Sequence, residues 1–114
     1  MKAYDDRIFL EHILESISHV RNFTAGVESS FHTLPEKWFA VLRALQIMSE
    51  STTRLSDATK AQIAGIDWHR IRGFRNVLVH DYLGDVDPEI VRKVIEIELP
   101  KLHNAVSLFL QNGK

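Results

Sequence analysis

The sequence predicts an all-α protein, a four-to-five-helix antiparallel bundle. Apolar residues recur at intervals of three and four through most of the chain, which is the spacing of amphipathic helices. Signals that start helices precede these stretches, and no stretch has the strict apolar–polar alternation or the Asn-Gly turn of a β-hairpin. Strands are therefore not expected, and short connections favour antiparallel neighbours.

The first predicted helix covers residues 3–23, and Gly26 can end it. Its apolar stripe consists of Leu10, Ile13, Leu14, Ile17 and Val20. The second helix has a different start signal, because Thr33 and Glu36 have the spacing of a capping box and Pro35 falls in the first turn. Its buried face is predicted to contain Trp38, Val41, Leu42, Leu45 and Met48.

Residues 56–65 have a weak pattern that fits either a short helix or a loop. Asp67 can then cap a third main helix beginning at Trp68. Its predicted buried stripe consists of Ile71, Phe74 and Leu78.

Asp87 and Pro88 form another cap and first-turn pair, which opens the last main helix. Apolar residues continue at helical spacing as far as Phe109. Pro100 interrupts this pattern, and because proline lacks an N–H group we expect a kink or break near Leu99.

The composition restricts the class of protein. A chain of 114 residues with 25% charged residues and a net charge of −1 is expected to form a single domain, residues 1–114, without a general affinity for nucleic acid. The sequence has no cysteine, no membrane-length apolar segment and no apolar signal segment at its start. These features favour a cytoplasmic protein without membrane contacts.

Positive charge is concentrated in the third main helix. Residues 68–80 contain Arg70, Arg72 and Arg75, with two histidines and no acid, whereas residues 81–98 contain six acids. A local cationic patch is therefore expected beside an acidic segment.

Four polar residues of this helix share one face. At about 100° per residue, with Arg72 as zero, Asn76 lies near 40°, His80 near 80° and Arg75 near −60°. Such a face fits an ordinary polar helix edge, in which His80 interacts with the C-terminal dipole. The same face also fits a functional site. Arg75 and His80 then diverge by about 140°, so they need either a long reach by Arg75 or two helices facing each other across a two-fold axis.

The arrangement Arg75, four residues, His80, one residue and Tyr82 resembles the motif of the HEPN superfamily, in the form found in HepT-like toxins encoded beside minimal nucleotidyltransferases. Further resemblance is carried by Asp67-Trp68, Arg75-Asn76, His80-Asp81-Tyr82 and Leu99-Pro100-Lys101-Leu102. The family has a Gly-Glu-Ala element in the second helix, where this chain has Ser49-Glu50-Ser51. No role for Glu50 follows from the sequence.

The resemblance implies a homodimeric, metal-independent endoribonuclease without cofactors, the toxin of a type VII-like toxin–antitoxin pair. Arg75 and His80 of both subunits would be the catalytic residues of a shared cleft, and Asn76 and Arg72 would support substrate binding. A cognate minimal nucleotidyltransferase antitoxin would add AMP to Tyr82 and so silence cleavage of RNA.

These residue types suit the implied chemistry. Attack by the RNA 2′-hydroxyl on its own phosphate needs a base, an acid and a cation that stabilises the phosphorane. Histidine supplies either proton role near neutral pH, and arginine binds phosphate through a permanent charge. One histidine serves poorly as both acid and base, whereas a dimer offers two.

Other interpretations remain open. The same patch fits a non-catalytic nucleotide-binding or substrate-presenting subunit of a minimal nucleotidyltransferase. A plain helical dimerisation domain is a third possibility. His12, Glu15 and His19 share one face of the first helix, but without a fourth ligand they are better interpreted as a solvated face than as a metal site.

Overall fold

The structure is a computed structural model that describes residues 5–80 and 86–113. These residues form helices and connections without any strand, which confirms the predicted all-α class. The helices are α1 (Asp6–Thr24), α2 (Pro35–Thr53), α3 (Asp57–Gln62), α4 (Trp68–Val79), α5 (Pro88–Lys93) and α6 (Leu99–Gly113). A 3₁₀ turn at Phe31–Thr33 precedes α2, and a π-helical turn at Val94–Glu98 joins α5 to α6.

Helix α1 begins at Asp6, three residues later than predicted, and ends at Thr24, shortly before Gly26 as predicted. The Asp5 carboxylate accepts a hydrogen bond from the Arg7 backbone N–H at 2.9 Å and so caps the first turn. At the other end, Gly26 has a φ of +80°, a left-handed conformation that glycine adopts without a Cβ penalty. The chain can therefore turn sharply after Thr24.

The capping box predicted for α2 is wrong. Leu34 occupies the N-cap position and makes no side-chain capping bond, although Pro35 does begin the helix. The Thr33 hydroxyl instead donates to the Ser30 carbonyl oxygen at 2.7 Å, because Thr33 belongs to the 3₁₀ turn. The sequence pattern located the start of the helix correctly. The Thr33 hydroxyl does not cap the helix because it is hydrogen-bonded within the preceding 3₁₀ turn.

The short helix α3 is fastened to the start of α1. The Asp6 carboxylate accepts hydrogen bonds from the Ser56 and Thr59 hydroxyls, both at 2.5 Å, and from the Ser56 backbone N–H at 3.2 Å. Partial burial acts to raise the pKa of the Asp6 carboxyl, but these hydrogen bonds and the charge of Lys60 together hold that pKa below its ordinary value. Asp6 therefore stabilises the contact in its ionised form.

The predicted caps of the later helices are confirmed. The Asp67 carboxylate accepts from the Arg70 backbone N–H at 3.0 Å, at the start of α4. The Asp87 carboxylate accepts from the Glu89 backbone N–H at 2.9 Å, at the start of α5. Each aspartate thus satisfies a backbone donor that the first helical turn leaves unpaired.

Pro100 changes the last helix without breaking it. The π-helical turn at Val94–Glu98 ends two residues before the proline, and the Leu99 N–H donates to the Val94 carbonyl oxygen, five residues back. Lys93 and Leu99, which flank this turn, both keep right-handed helical φ and ψ angles. The expected irregularity near Leu99 is therefore present as a wider turn within one continuous helical segment.

The core lies mainly between α1, α2 and α6. Helices α1 and α2 share the most extensive contact, and their buried faces include the small residues Ser16 and Ser49, which permit close approach. The buried apolar residues of these three helices are Leu10, Ile13, Ile17, Val20, Val41, Ala44, Leu45, Met48, Leu99, Leu102 and Val106. In the described segments, no helix is long and apolar enough to cross a membrane.

Helix α4 packs against α2 but is less enclosed than its sequence predicts. Ile71, Phe74 and Leu78 contact the core as predicted, yet each remains partly exposed. Val77 on the same helix is 51% exposed. One side of α4 therefore faces α2, and another borders an open groove.

Candidate functional site

The candidate site is built on α4, which is held at its beginning by more than its cap. The Trp68 indole N–H donates to the Lys60 carbonyl oxygen at 3.3 Å and thereby ties the first turn of α4 to α3. The helix has 12 residues and packs against α2. Side chains near its end are consequently carried on a rigid element rather than on a loop.

Arg75 makes an ion pair with Glu50 of α2. Its Nε and Nη2 atoms both donate to Oε2 of Glu50, at 3.1 and 2.8 Å. About two-thirds of each side chain is shielded, with exposed fractions of 31% for Arg75 and 34% for Glu50. Partial burial reduces screening by solvent, so this pair orients Arg75 more strongly than an exposed pair would.

Asn76 completes the support of Arg75. The Nη1 atom of Arg75 donates to the Asn76 Oδ1 atom at 3.2 Å. The three contacts with Glu50 and Asn76 use three of the five N–H groups of the guanidinium group. The other two N–H groups make no hydrogen bond to the described residues, so they can donate to a phosphate.

His80 lies at the C-terminal end of the same helix. It is the C-cap of α4, its backbone N–H donates to the Asn76 carbonyl oxygen at 3.1 Å, and its side chain is exposed. Five residues separate it from Arg75, which corresponds to about 7.5 Å of helical rise. The guanidinium group of Arg75 is instead held against Glu50 of α2.

The remaining predicted site residues lie on either side of this group. Arg72 is exposed on α4, one turn before Asn76. Tyr82, the predicted acceptor of AMP, lies outside the described residues, as does Asp81.

A concave surface lies beside α2, and another lies beside α4. One is a concavity of about 640 Å³ between α1 and α2, and its wall includes Glu50. The other is a groove of about 370 Å³ between α4 and the α5–α6 segment, and its wall is mainly apolar. We call them the polar concavity and the apolar groove. Glu50 lies in the wall of the polar concavity, and its ion pair links that wall to Arg75 of α4.

The cationic patch predicted from the sequence is partly neutralised. Arg75 is paired with Glu50, and Arg70 lies 3.7 Å from a carboxylate oxygen of Glu98 across the apolar groove. Arg70 is largely exposed, so its pair contributes little to stability. Within the described parts of the chain, no group of three histidine, aspartate or glutamate side chains could hold a metal ion, and this includes His12, Glu15 and His19.

Comparison with known proteins identifies the family. The family model described as "Ribonuclease HepT-like" matches residues 13–109. The chain belongs to the HepT-like ribonuclease family. It is 29% identical over 109 residues to "Putative RNase MJ1380" of Methanocaldococcus jannaschii, with 95% of this chain and 99% of that relative covered.

Two further relatives are also described as ribonucleases. The chain is 30% identical to "Putative RNase TTE0752" of Caldanaerobacter subterraneus, covering 95% of this chain and 96% of the relative. It is also 30% identical to "Probable ribonuclease HepT" of Thermococcus cleftensis, covering 82% and 86%. No solved structure matches the chain significantly. The resemblance to HepT-like proteins is thus confirmed across nearly the whole sequence.

Glu50 is the site residue that sequence reasoning did not assign. The only signal was its place in Ser49-Glu50-Ser51, which resembles a family element without indicating a contact. Its partner Arg75 lies 25 residues away, on a different helix. The contact depends on how α2 packs against α4, which helical spacing within either segment does not specify.

Proposed function

We propose that this protein is a metal-independent endoribonuclease that cleaves RNA by attack of the 2′-hydroxyl on the adjacent phosphate. One observation carries this proposal: in a HepT-like ribonuclease, Arg75 is held by Glu50 and Asn76 on the helix that ends at His80. The held guanidinium group supplies positive charge for the phosphorane, and the exposed imidazole supplies proton transfer.

The role of Arg75 follows from its hydrogen bonds. Glu50 occupies one edge of the guanidinium group and fixes its plane, while the N–H groups left over on the Nη atoms can bind phosphate oxygens. The Glu50 carboxylate partly neutralises the charge of the guanidinium group. Arg75 therefore contributes through the fixed position of its N–H groups as well as through its charge. A fixed donor stabilises developing charge without having to reorganise during the reaction.

The proposed enzyme is a homodimer with a shared cleft. Arg75 extends towards α2 and diverges from His80 by about 140° around α4, so a second copy of the helix is needed to surround one phosphate with both residue types. A dimer also supplies one histidine as base and the other as acid. Arg72 and Asn76 would then contact the RNA beside the reacting phosphate.

We further propose that the protein is a cytoplasmic toxin regulated by a cognate minimal nucleotidyltransferase. Addition of AMP to Tyr82, two residues after His80, would place a phosphate and a base where RNA must bind. The modified tyrosine would compete with RNA for the same arginines. This proposal depends on the family resemblance and on the position of Tyr82 in the sequence.

The cleavage proposal is tested with purified protein, RNA and EDTA. We expect the wild-type protein to cut RNA and to leave DNA of the same sequence intact, and His80→Ala to lose activity. Equal treatment of RNA by wild type and His80→Ala, equal cutting of DNA, or complete dependence on added metal would reject the mechanism.

Modification is tested by mass spectrometry. Incubation with the cognate nucleotidyltransferase and ATP should add the mass of one or more AMP groups to the wild-type protein and should inhibit cleavage. Tyr82→Phe should resist both effects. Equal labelling of Tyr82→Phe would remove the assignment to this residue.

Expression in cells separates the toxin from a nucleotide-binding subunit. A toxin should arrest growth, and Arg75→Ala should relieve the arrest at equal protein abundance. Nucleotide binding without arrest or RNA cleavage would instead favour a non-catalytic subunit that uses the same arginine patch.

A further inference from the structure

The polar concavity contains charges that the proposed reaction does not use. Arg43 and Arg54 lie in its wall together with His12 and Glu50. Both arginines are exposed, and neither has an ion pair or side-chain hydrogen bond within residues 5–80 and 86–113. By contrast, Arg75, which reaches Glu50 from α4, is held in place by that carboxylate.

These residues are in register along α2. At about 100° per residue, Arg43, Glu50 and Arg54 fall within roughly 40° of one another around the helix. Arg43 precedes Glu50 by about 10 Å of rise, and Arg54 follows it by about 6 Å. The two arginines, which are unpaired among the described residues, therefore lie on opposite sides of Glu50 along the axis of α2.

The wall of the concavity is not uniformly charged. Ile8 and Ile47 contribute apolar surface and are 44% and 38% exposed, and Gln46 adds an amide. Grooves that bind single strands without strong sequence preference combine cations for the backbone with aromatic side chains on which bases stack. Phe9 and His12 supply rings in the wall of the concavity, and Arg43 and Arg54 supply cations. The concavity has this combination on a protein whose net charge is −1.

We propose that the polar concavity is an extended binding subsite for single-stranded RNA, in which Arg43 and Arg54 bind phosphates on opposite sides of the scissile one. This inference rests on the proposed function, because it takes the phosphate at Arg75 as the point of cleavage. It adds that RNA lies along α2, so that substrates longer than a dinucleotide bind more tightly. Arg43 and Arg54 act in binding and have no role in proton transfer.

The binding test uses a fluorescein-labelled single-stranded RNA of ten nucleotides and a His80→Ala background, in which the RNA stays intact. Kd is measured by anisotropy at several salt concentrations. Arg43→Gln with Arg54→Gln should raise Kd at least about fivefold and lower the slope of log K against log salt by about 1.4, or about 0.7 for each arginine. The control, Arg21→Gln with Lys101→Gln, removes two exposed charges elsewhere and should change neither value.

A cleavage arm in the otherwise wild-type protein separates the two proposals. The double variant should cut the ten-nucleotide RNA less efficiently through a higher KM, and should cut a dinucleotide as well as the wild type does. If the wild type cuts RNA but the double variant keeps its Kd, salt slope and KM, the subsite is wrong. If the protein binds RNA with the predicted arginine dependence but never cuts it, the subsite stands and the proposed function fails.

The other possible occupant of the concavity is protein. If Arg43→Gln with Arg54→Gln changes the oligomeric state in light scattering and leaves the salt slope unchanged, the face is an interface between protein chains. That result would overturn the RNA subsite. The single variants Arg43→Gln and Arg54→Gln provide the same readouts should the double variant unfold.

Discussion

The polar concavity beside α2 and the apolar groove beside α4 differ in the chemistry of their walls. The polar concavity has Glu50, the partner of Arg75, in its wall together with Arg43 and Arg54. The apolar groove is lined by side chains such as Phe74, Val77 and Ile97, with one exposed ion pair across it. The groove also has cations in its wall, Arg70, Lys93 and Lys101, but neither Arg75 nor His80 lines it. We therefore place the chemistry on the side of α4 that faces α2.

The largest effect should come from His80. We expect His80→Ala to lower the rate of RNA cleavage by about 10³-fold, within the range that one general acid–base group contributes. His69, which is exposed at the other end of α4, provides the matched control, and His69→Ala should retain the wild-type rate within about twofold. Comparable losses in both variants would show that cleavage does not depend on this end of the helix.

Loss of Arg75 should be nearly as severe. Arg75→Ala removes the fixed cation of the polar side, and we expect a decrease in kcat of about 10²-fold. Arg70→Ala removes an arginine of the same helix on the side of the apolar groove and should leave kcat unchanged. Single-turnover measurements at saturating RNA compare the two variants directly, and equal losses would contradict the division between the two surfaces.

On the side of the apolar groove, the main effects should be on stability. Val91 is completely buried, so Val91→Ala should lower the free energy of unfolding by about 2 kcal/mol. The neighbouring Ile90 borders the groove and is 49% exposed, and Ile90→Ala should cost less than about 1 kcal/mol. Urea unfolding measures both values. A larger loss for Ile90→Ala would mean that the groove is covered by another protein surface.

Glu50 should affect catalysis through Arg75 alone. Glu50→Gln keeps a neutral acceptor but loses the ionic hydrogen bond, so we expect kcat to fall roughly tenfold with little change in thermal stability. Because the effect acts through Arg75, adding Glu50→Gln to Arg75→Ala should cause no further loss. Glu36→Gln in the exposed first turn of α2 is the control. Additive losses in the double variant would exclude a positioning role.

The smallest effect concerns Asp6, which should influence stability without influencing cleavage. Its pKa is lowered in the folded protein, so its stabilisation is present above the ordinary carboxyl pKa of about 3.9 and is lost as pH falls through the lower folded value. Asp6→Asn should therefore be about 1 kcal/mol less stable at pH 7, and the difference should shrink below about pH 4. Unfolding curves at several pH values test this, and a constant difference would be inconsistent with ionised Asp6.

The fold was largely predictable because its signals are local. Helical spacing located the main helices, and Asp67 and Asp87 cap the helices that their positions indicate. The Thr33–Glu36 box failed because the 3₁₀ turn engages the Thr33 hydroxyl. The exposure of Phe74 and Leu78 was also missed, since apolar spacing shows which side of a helix faces its neighbours but not how closely they approach.

The candidate site was predictable only in part. Arg75, Asn76 and His80 are recognised by their spacing on one helix together with the family resemblance. The ion pair with Glu50 requires the packing of α2 against α4, and the positions of Arg43 and Arg54 beside it gain significance only from that packing. Long-range contacts of this kind leave no periodic signal in the sequence.

The most direct test of the central claim is the chemistry of the cleaved ends. An RNA oligonucleotide that the protein cuts at one mapped position is compared with the same oligonucleotide carrying a single 2′-deoxy substitution on the 5′ side of that position, both in EDTA. We predict a 2′,3′-cyclic phosphate on the 5′ fragment of the first and no cut at that position in the second. Cleavage at the 2′-deoxy position, or a 5′ fragment ending directly in a 3′-hydroxyl, would contradict attack by the 2′-hydroxyl at the site of Arg75 and His80.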